Sequence, residues 1–180
     1  MHKKKTDSPS FSGKGFKAVN IGYGFLNRFY RDLEWHKIGP PPGPYVVGFE
    51  YGISDKIGVG AQLGYSKFTK QYQYDPSYTG TLTQTLVFFV GMARANYHFG
   101  KPAKFDPYVG FGLGIYSFKP YTTTTLNGIS KNSPFTLLRS PFAYTLDIGA
   151  KYFFSDKIGA YAEVGFVTGS YAQLGVAAKF

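Results

Sequence analysis

The chain has 180 residues, of which 19% are aromatic and 17% are charged, and it contains 23 glycines, 16 tyrosines and 18 phenylalanines. This composition favours strands and turns over helices. The mean hydropathy is -0.18 and no segment approaches the roughly twenty apolar residues that a transmembrane helix needs, so a helical membrane protein is excluded. The absence of cysteine excludes disulfide frameworks, thiolate metal sites and cysteine nucleophiles. The net charge of +10 is compatible with nucleic acid, acidic polysaccharide or lipid phosphate as a partner.

The start of the chain, MHKKKTDSPS, is basic and then polar, without the apolar core of a secretory signal. We interpret residues 1–14, which include Lys3, Lys4 and Lys5, as a disordered basic tail. These lysines adjoin no aromatic stacking platform and no recognition motif, so nucleic-acid binding is not expected. Residues 15–180 are predicted to form one domain.

Eight segments after the tail alternate between apolar and small or polar residues with a period of two, which predicts β-strands. In the first of them, Val19, Ile21 and Tyr23 share one face, and the residues between them share the other. The predicted strands cover residues 18–25, 45–53, 57–66, 87–99, 107–116, 142–152, 158–166 and 172–180. The alternation of the fourth strand is blurred towards Thr83. Each segment has about the ten residues that a tilted strand needs to cross a bilayer.

The connections between these strands are of two kinds. A hairpin motif occurs twice, as ISDKIGVGAQLGY from Ile53 and as FSDKIGAYAEVGF from Phe154, and we place its Asp and Lys in tight turns. Residues 168–170 are another short connection. Residues 26–44, 67–84 and 118–141 are predicted to be long connections.

The composition of the face opposite the large apolar residues indicates whether the strands surround a protein core or span a membrane. That face is mostly glycine with some polar and charged residues. A soluble barrel or sandwich places its large apolar residues inside, so this inverted pattern is typical of a membrane barrel. Aromatic residues at strand ends, among them Tyr23, Tyr65 and Tyr108, are predicted to form girdles at the two interfaces. The sequence therefore predicts an all-β fold, a closed up-and-down antiparallel transmembrane β-barrel of about eight strands.

Polar side chains on the predicted inner face form a candidate interior network, with three acids and three bases. Its members are Glu50, Gln62, Arg94, Asp147, Lys151, Glu163, Gln173 and Lys179. Buried charges must pair or each costs several kcal/mol. The network could line a gated or selective pore, or it could be a packed plug of salt bridges. Because eight strands enclose a space that side chains just fill, the plug is the favoured interpretation.

The sequence resembles the small outer-membrane barrels of the OmpX and OmpA transmembrane-domain type, and the wider outer-membrane β-barrel domain family, from Phe16 onward. The most specific element is the last strand, where Gly175, Val176, Ala178 and Phe180 resemble the signal read by the barrel-assembly machinery. The resemblance implies the bacterial outer membrane, with a signal peptide that was cleaved or omitted. It also implies periplasmic termini and short turns, with the long connections outside the cell.

The long connections are basic and include a candidate contact surface. This surface consists of Arg28, Tyr30, Arg31, Trp35, Lys119, Lys131 and Arg139. Loops on a rigid scaffold often carry recognition, so the surface could bind other outer-membrane or extracellular proteins. It could equally accommodate the phosphates of lipopolysaccharide, with Tyr30 and Trp35 resting among the headgroups of outer-membrane lipids.

An enzymatic alternative rests on His36, Asp75 and Ser77, because outer-membrane lipid A acyltransferases and deacylases use His, Ser and an acid on small barrels. No family motif surrounds these residues, and such triads are recognised by geometry. We expect no catalytic residue, cofactor or metal, and a structural, adhesive or complex-subunit role. A narrow channel for small solutes and a lipid A-modifying enzyme are the alternatives.

Overall fold

The computed structural model describes residues 14–27, 43–75, 78–99, 104–126, 129–134 and 142–180. In these ranges the chain forms nine antiparallel strands: β1 Lys17–Asn27, β2 Tyr45–Gly52, β3 Ile57–Asp75, β4 Tyr78–His98, β5 Phe105–Leu126, β6 Ile129–Pro134, β7 Phe142–Phe153, β8 Ile158–Val167 and β9 Ser170–Lys179. A helix able to cross a membrane does not occur among these residues. Of the predicted tail, only Lys14 is described.

Eight of the strands close into a ring. The strands β1 to β5 pair in sequence, β5 pairs with β7, β7 with β8, and β8 with β9. The ring closes where β9 pairs with β1, from Ala18 opposite Lys179 to Asn27 opposite Ser170. This confirms the predicted closed antiparallel barrel of eight strands. Closure satisfies the backbone within the wall, as a lipid environment requires.

The wall has a clear inside and outside. Along β2, Tyr45, Val47 and Phe49 are exposed while the residues between them are buried. Large aliphatic side chains on the outer face are far more exposed than a water-soluble protein tolerates as a continuous belt, with Ile148 70% and Ile115 64% exposed. The predicted apolar outer face is therefore present in the structure.

Two predicted long connections are largely wrong, because strands occupy most of them. β3 and β4 run on through residues 67–84, with only residues 76 and 77 undescribed between them. β5 continues to Leu126 and pairs there with β6. These stretches are rich in Thr, Tyr and Gln and lack apolar alternation, so they favour strands without showing the period of a half-buried one. Residues 28–42, in the first predicted long connection, lie outside the described ranges.

The extended parts of four strands form a sheet that continues beyond the ring. β2 stops pairing with β3 at Tyr45 opposite Tyr65, and β7 stops pairing with β5 at Phe142 opposite Ile115. Past these points β3, β4, β5 and β6 pair in that order. We call this four-stranded extension, formed by residues 67–75, 78–87, 119–126 and 129–134, the outer sheet.

The two Ser-Asp-Lys turns stand at the opposite end of the barrel, near Gly15 and Phe180. Ser54 Oγ accepts hydrogen bonds from the backbone N–H groups of Lys56 (3.3 Å) and Ile57 (3.0 Å). Ser155 makes the equivalent two contacts in the second turn, at 3.4 and 3.0 Å. The serine hydroxyl therefore organises each turn, in which the sequence pattern had placed the Asp and Lys.

Candidate functional site in the barrel interior

Arg94, on β4, lies at the centre of the barrel interior. Its Nη1 donates to Gln62 Oε1 on β3 (2.8 Å) and to Glu163 Oε1 on β8 (3.0 Å). Its Nη2 donates to Asp147 Oδ1 on β7 (2.8 Å) and contacts Asn96 Oδ1 at 3.4 Å. One guanidinium therefore joins strands on opposite sides of the wall, through the charge-assisted contacts for which its fixed fork of donors is suited.

A second buried cluster surrounds His98, which lies four residues after Arg94 on the same strand, nearer the Ser-Asp-Lys turns. His98 Nε2 lies 2.7 Å from Glu50 Oε1, and Nδ1 lies 2.9 Å from Asp106 Oδ2. Lys151 Nζ donates to the other oxygen of Glu50. All four side chains are buried. When both carboxylates are ionised, both ring nitrogens donate and the ring is an imidazolium, which compensates charge across β2, β4, β5 and β7.

Tyr108 connects the two clusters. Its hydroxyl donates to Glu163 Oε1 (2.7 Å), and Lys151 Nζ lies 5.1 Å from the centre of its ring. The prediction that Tyr108 belongs to an interfacial girdle is wrong, because its side chain is fully buried. It shares the parity of Gly110 and therefore points inward.

Glycine makes room for these large interior side chains. A Cβ added at Gly110 would lie 2.3 Å from Arg94 Nη2, and one added at Gly149 would lie 2.5 Å from the ring of Tyr108. Neither position accepts a side chain without displacing its neighbour. The glycine-rich inner face of the sequence thus matches a crowded interior.

The half of the interior nearer the outer sheet contains an apolar cluster. Phe88, Val90 and Met92 are buried on the inner face of β4, with Tyr116 and Ala143 packed against them. The inner face was predicted to be mostly glycine with polar and charged residues, and this part of β4 departs from that prediction. Because both faces of β4 are apolar at this level, the alternation of the sequence is blurred.

A cavity of about 10 Å³ lies within the polar half, beside Asn20, Gln62, Arg94 and Asn96. That volume holds about one water molecule. Asn20 Oδ1 and Arg94 Nε have no hydrogen-bond partner among the described residues, and both side chains line this cavity.

Two other predicted network residues lie apart from Arg94. Gln173 Nε2 donates to the hydroxyl of Tyr161 (2.6 Å) on the neighbouring strand β8. Lys179 is only partly buried and interacts electrostatically with Asp156 and Asp106. The interior thus contains the Arg94 and His98 clusters and a separate Tyr161–Gln173 contact.

The predicted assembly signal lies on the strand that closes the ring. Gly175, Val176 and Ala178 pair with β1, and the backbone N–H of Phe180 donates to the carbonyl of Lys17 (3.0 Å). Val176 and Phe180 are exposed on the outer face.

The predicted contact surface is described only in part. Lys119 is exposed on β5, and the backbone of Lys131 pairs with β5 in the outer sheet. Asp75 ends β3 and pairs with Tyr78. The remaining candidates lie outside the described ranges: Arg28, Tyr30, Arg31, Trp35, His36, Ser77 and Arg139.

Sequence reasoning placed His98 and Tyr161 on the inner face without including them in the network, and it missed Asp106 and Tyr108 as interior residues. The signal that finds them is parity. Residues two positions apart on a strand face the same side, so His98 faces inward with Arg94. The same rule, counted back from Gly110, places Tyr108 and Asp106 on the inner face. Asp106 escaped notice because it precedes the clear alternation of its strand.

The geometry of the His98 cluster is suited to charge compensation. A carboxylate oxygen lies within hydrogen-bonding distance of each ring nitrogen, so neither nitrogen is placed to deprotonate a nucleophile. Among the described residues, no group of three or more His, Asp or Glu side chains is arranged to hold a metal ion.

Comparison with known proteins gives one family and several structural neighbours. The outer membrane protein beta-barrel domain family matches residues 10–179. Ail, the attachment invasion locus protein of Yersinia pestis, is 12% identical over 93% of this chain and 99% of that chain, with a TM-score of 0.51. Its structure with the heparin analogue sucrose octasulfate gives a TM-score of 0.55 at 12% identity, over 93% of this chain and 99% of that chain. The N-terminal beta-barrel domain of Pseudomonas aeruginosa OprF is 19% identical over 94% of this chain and 100% of that chain, with a TM-score of 0.48.

No curated protein matches the sequence. The likeness to Ail shows the fold, and the family match extends over nearly the whole chain. The chain therefore belongs to the outer membrane protein beta-barrel domain family, and it is an outer-membrane β-barrel.

Proposed function

We propose that this barrel is a non-conducting and non-enzymatic component of the outer membrane that presents the outer sheet to partners outside the cell. The observation that carries the proposal is the filled interior. Arg94 bridges opposite walls, Tyr108 connects its cluster to that of His98, and Phe88 and Met92 fill the other half.

A filled interior argues against transport of solutes. Barrels of eight strands have room for side chains and little else, whereas channels need many more strands. The cavity beside Asn20 and Arg94, among the residues that the structure describes, holds about one water molecule and is itself too small for an aqueous path.

The outer sheet supports a role in contact with other molecules. β3 has 19 residues, whereas about ten are needed to cross a bilayer. The remaining residues, at about 3.3 Å each, continue for roughly 30 Å along the strand beyond the membrane. Paired strands hold this surface in a defined shape, so a partner binds without ordering a flexible loop. A structural, adhesive or complex-subunit role fits such a surface.

The burial of His98 argues against catalysis by this histidine. His98 and Asp106 are fully buried, so a lipid or water-soluble substrate has no access to the imidazole. We therefore propose that the histidine and its carboxylates brace the barrel. Incubation with lipid A tests this. Unchanged lipid A supports the proposal, whereas acyl transfer or deacylation that disappears in His36→Ala would favour the enzymatic alternative.

The proposal includes assembly through the last strand. Val176 and Phe180 expose apolar side chains on β9, the strand that closes the barrel. We propose that Gly175, Val176, Ala178 and Phe180 are read by the barrel-assembly machinery. Deletion of Phe180 should reduce the folded fraction in the outer membrane, while the same variant should still fold in detergent.

Single-channel recording tests the main proposal. The protein is folded in detergent, shown to be folded by a gel shift between boiled and unboiled samples, and added to a planar bilayer. We expect a silent bilayer, with a larger porin as the positive control. Discrete conductance steps from the folded sample would contradict the proposal and favour the small-solute channel.

A further inference from the structure

Two exposed lysines share one row on the lipid-facing side of the barrel. Val87 on β4 pairs with Lys67 on β3 and with Lys119 on β5, so the three residues stand side by side on one face. Lys67 and Lys119 are exposed. Their backbones are two strand spacings apart, or roughly 10 Å. Two side chains with flexible four-carbon stems can converge on one phosphate across that gap.

The neighbouring row places the lysines at the level of lipid headgroups. Tyr65 and Phe89 are paired and exposed on the same face, one row nearer the middle of the barrel. Aromatic side chains favour the boundary between headgroups and hydrocarbon. Lys67 and Lys119 therefore stand just outside that boundary, at the end of the barrel from which the outer sheet extends.

The charge of this face is of one sign. From the Ser-Asp-Lys turns up to the row of Lys67 and Lys119, the described outward positions of the eight ring strands carry no Asp or Glu. The acids of this part of the barrel point inward or lie in the turns at the opposite end, and Asp75 lies eight residues beyond Lys67, at the far end of the outer sheet. An anionic headgroup next to Lys67 and Lys119 thus meets no carboxylate of this face.

An apolar groove lies on the same two strands, deeper in the membrane. It has a volume of about 610 Å³, with the small residues Val59, Gly60, Ala93 and Ala95 in its floor. Larger side chains flank it on β2 and β5: Phe49, Tyr51, Phe111 and Leu113. The groove is shallow and open towards the lipid, which suits a flexible chain lying along the strands.

The spacing of the lysines and the groove matches one leaflet of a membrane. The row of Ala61 and Ala93 is six residues from Lys67, or about 20 Å along β3. Half of a 30 Å hydrocarbon core is about 15 Å, which becomes about 21 Å along a strand tilted by roughly 45°. An acyl chain that starts at the lysines and follows the strands therefore ends in the groove.

We propose that this surface binds a phosphorylated lipid of the outer leaflet, of the lipid A type. A phosphate lies between Lys67 and Lys119, and one acyl chain follows β3 and β4 into the groove. The inference rests on the orientation in the proposed function, with the outer sheet outside the cell. It is independent of whether the barrel conducts.

Lipid retention by the folded full-length protein tests the site. Diphosphoryl lipid A is titrated onto the protein in a zwitterionic detergent, and the lipid bound to each barrel is counted by native mass spectrometry. We expect Lys67→Gln with Lys119→Gln to weaken retention by about 10- to 30-fold. The control pair Lys56→Gln with Lys157→Gln removes the same charge from the exposed turns and should retain lipid A like the wild type.

Two further measurements separate the headgroup from the chain. Dephosphorylated lipid A should bind the wild type as weakly as the phosphorylated form binds the lysine variant, and inorganic phosphate at equal concentration should not compete. Ala93→Leu with Ala95→Leu should weaken retention by filling the groove, whereas Ala160→Leu on the exposed face of β8 should not. Equal retention by the two lysine pairs, or by both forms of lipid A, would overturn the proposal. Neither result would change the absence of conductance expected from the proposed function, so the two proposals can fail separately.

Discussion

The guanidinium of Arg94 compensates two carboxylates in the middle of the barrel, so its removal should be costly. Arg94→Met leaves Asp147 and Glu163 buried without a cation. Breaking a buried ion pair in this way costs about 3–5 kcal/mol. We expect a lower midpoint of urea unfolding in lipid vesicles. Adding Asp147→Asn and Glu163→Gln to the same variant should recover most of the loss, because no carboxylate is then left without its cation. An unchanged midpoint in the single variant would show that the carboxylates are already neutral.

Two interior glycines form a matched pair that tests how tightly the interior is packed. A Cβ at Gly110 would displace Arg94 and lie 2.4 Å from Asp147 Oδ1, whereas one at Gly48 would meet Gln62 Cγ at an ordinary 3.7 Å. Gly110→Ala should therefore cost about 1–3 kcal/mol of unfolding free energy. Gly48→Ala should be neutral or stabilise by up to about 1 kcal/mol, by restricting the unfolded chain. Similar unfolding midpoints for both variants would mean that the Arg94 cluster rearranges at little cost in free energy.

At the level of elements, the two Ser-Asp-Lys turns depend on their serines. Ser54→Ala removes the acceptor for two backbone N–H groups and should cost about 0.5–1.5 kcal/mol. Asp55→Ala, at the neighbouring exposed position, is the control and should have a smaller effect. Unfolding midpoints in the same vesicles compare the two. A larger loss for the aspartate would return the main role in the turn to the residue favoured by the sequence pattern.

The outer sheet and the barrel should be separable. Thr69 pairs with Thr85, so an Asn-Gly turn in place of residues 70–84 closes a shorter hairpin in the same register. Because the removed strands lie beyond the ring, we expect the variant to keep its gel shift and its unfolding midpoint. Loss of folding would show that the outer sheet helps the barrel form, and its proposed role as a contact surface would then need separate support.

The success of prediction from sequence differs between elements for a physical reason. β2, β7 and β8 separate lipid from a packed interior, so their residues alternate strictly and their bounds were predicted within a few residues. The sequence of the outer sheet is rich in Thr, Tyr and Gln and shows no regular apolar alternation, so its strands were predicted as loops. Within the interior, parity places Arg94 and Glu163 on the inner face. It does not reveal that Glu50 contacts His98, because that contact depends on how the ring closes.

Over the whole molecule, the interior has two layers in series, and either should suffice to block ions. The layer near the outer sheet contains the apolar cluster with Phe88 and Met92, and the other holds Arg94, Glu163 and Tyr108. Phe88→Ala with Met92→Ala should leave the bilayer silent, because the polar layer stays closed. Tyr108→Ala alone should also be silent, behind the intact apolar layer.

The combination of the three substitutions is therefore the informative sample. With both layers opened, we expect conductance from protein that still shows the gel shift of a folded barrel. If the apolar pair alone produces discrete steps, the Arg94 layer is permeable to ions and its charges line a path instead of closing one. The same network would then be the selectivity filter of a narrow channel. Water that reaches these charges raises the local dielectric constant, and their pairing becomes weaker.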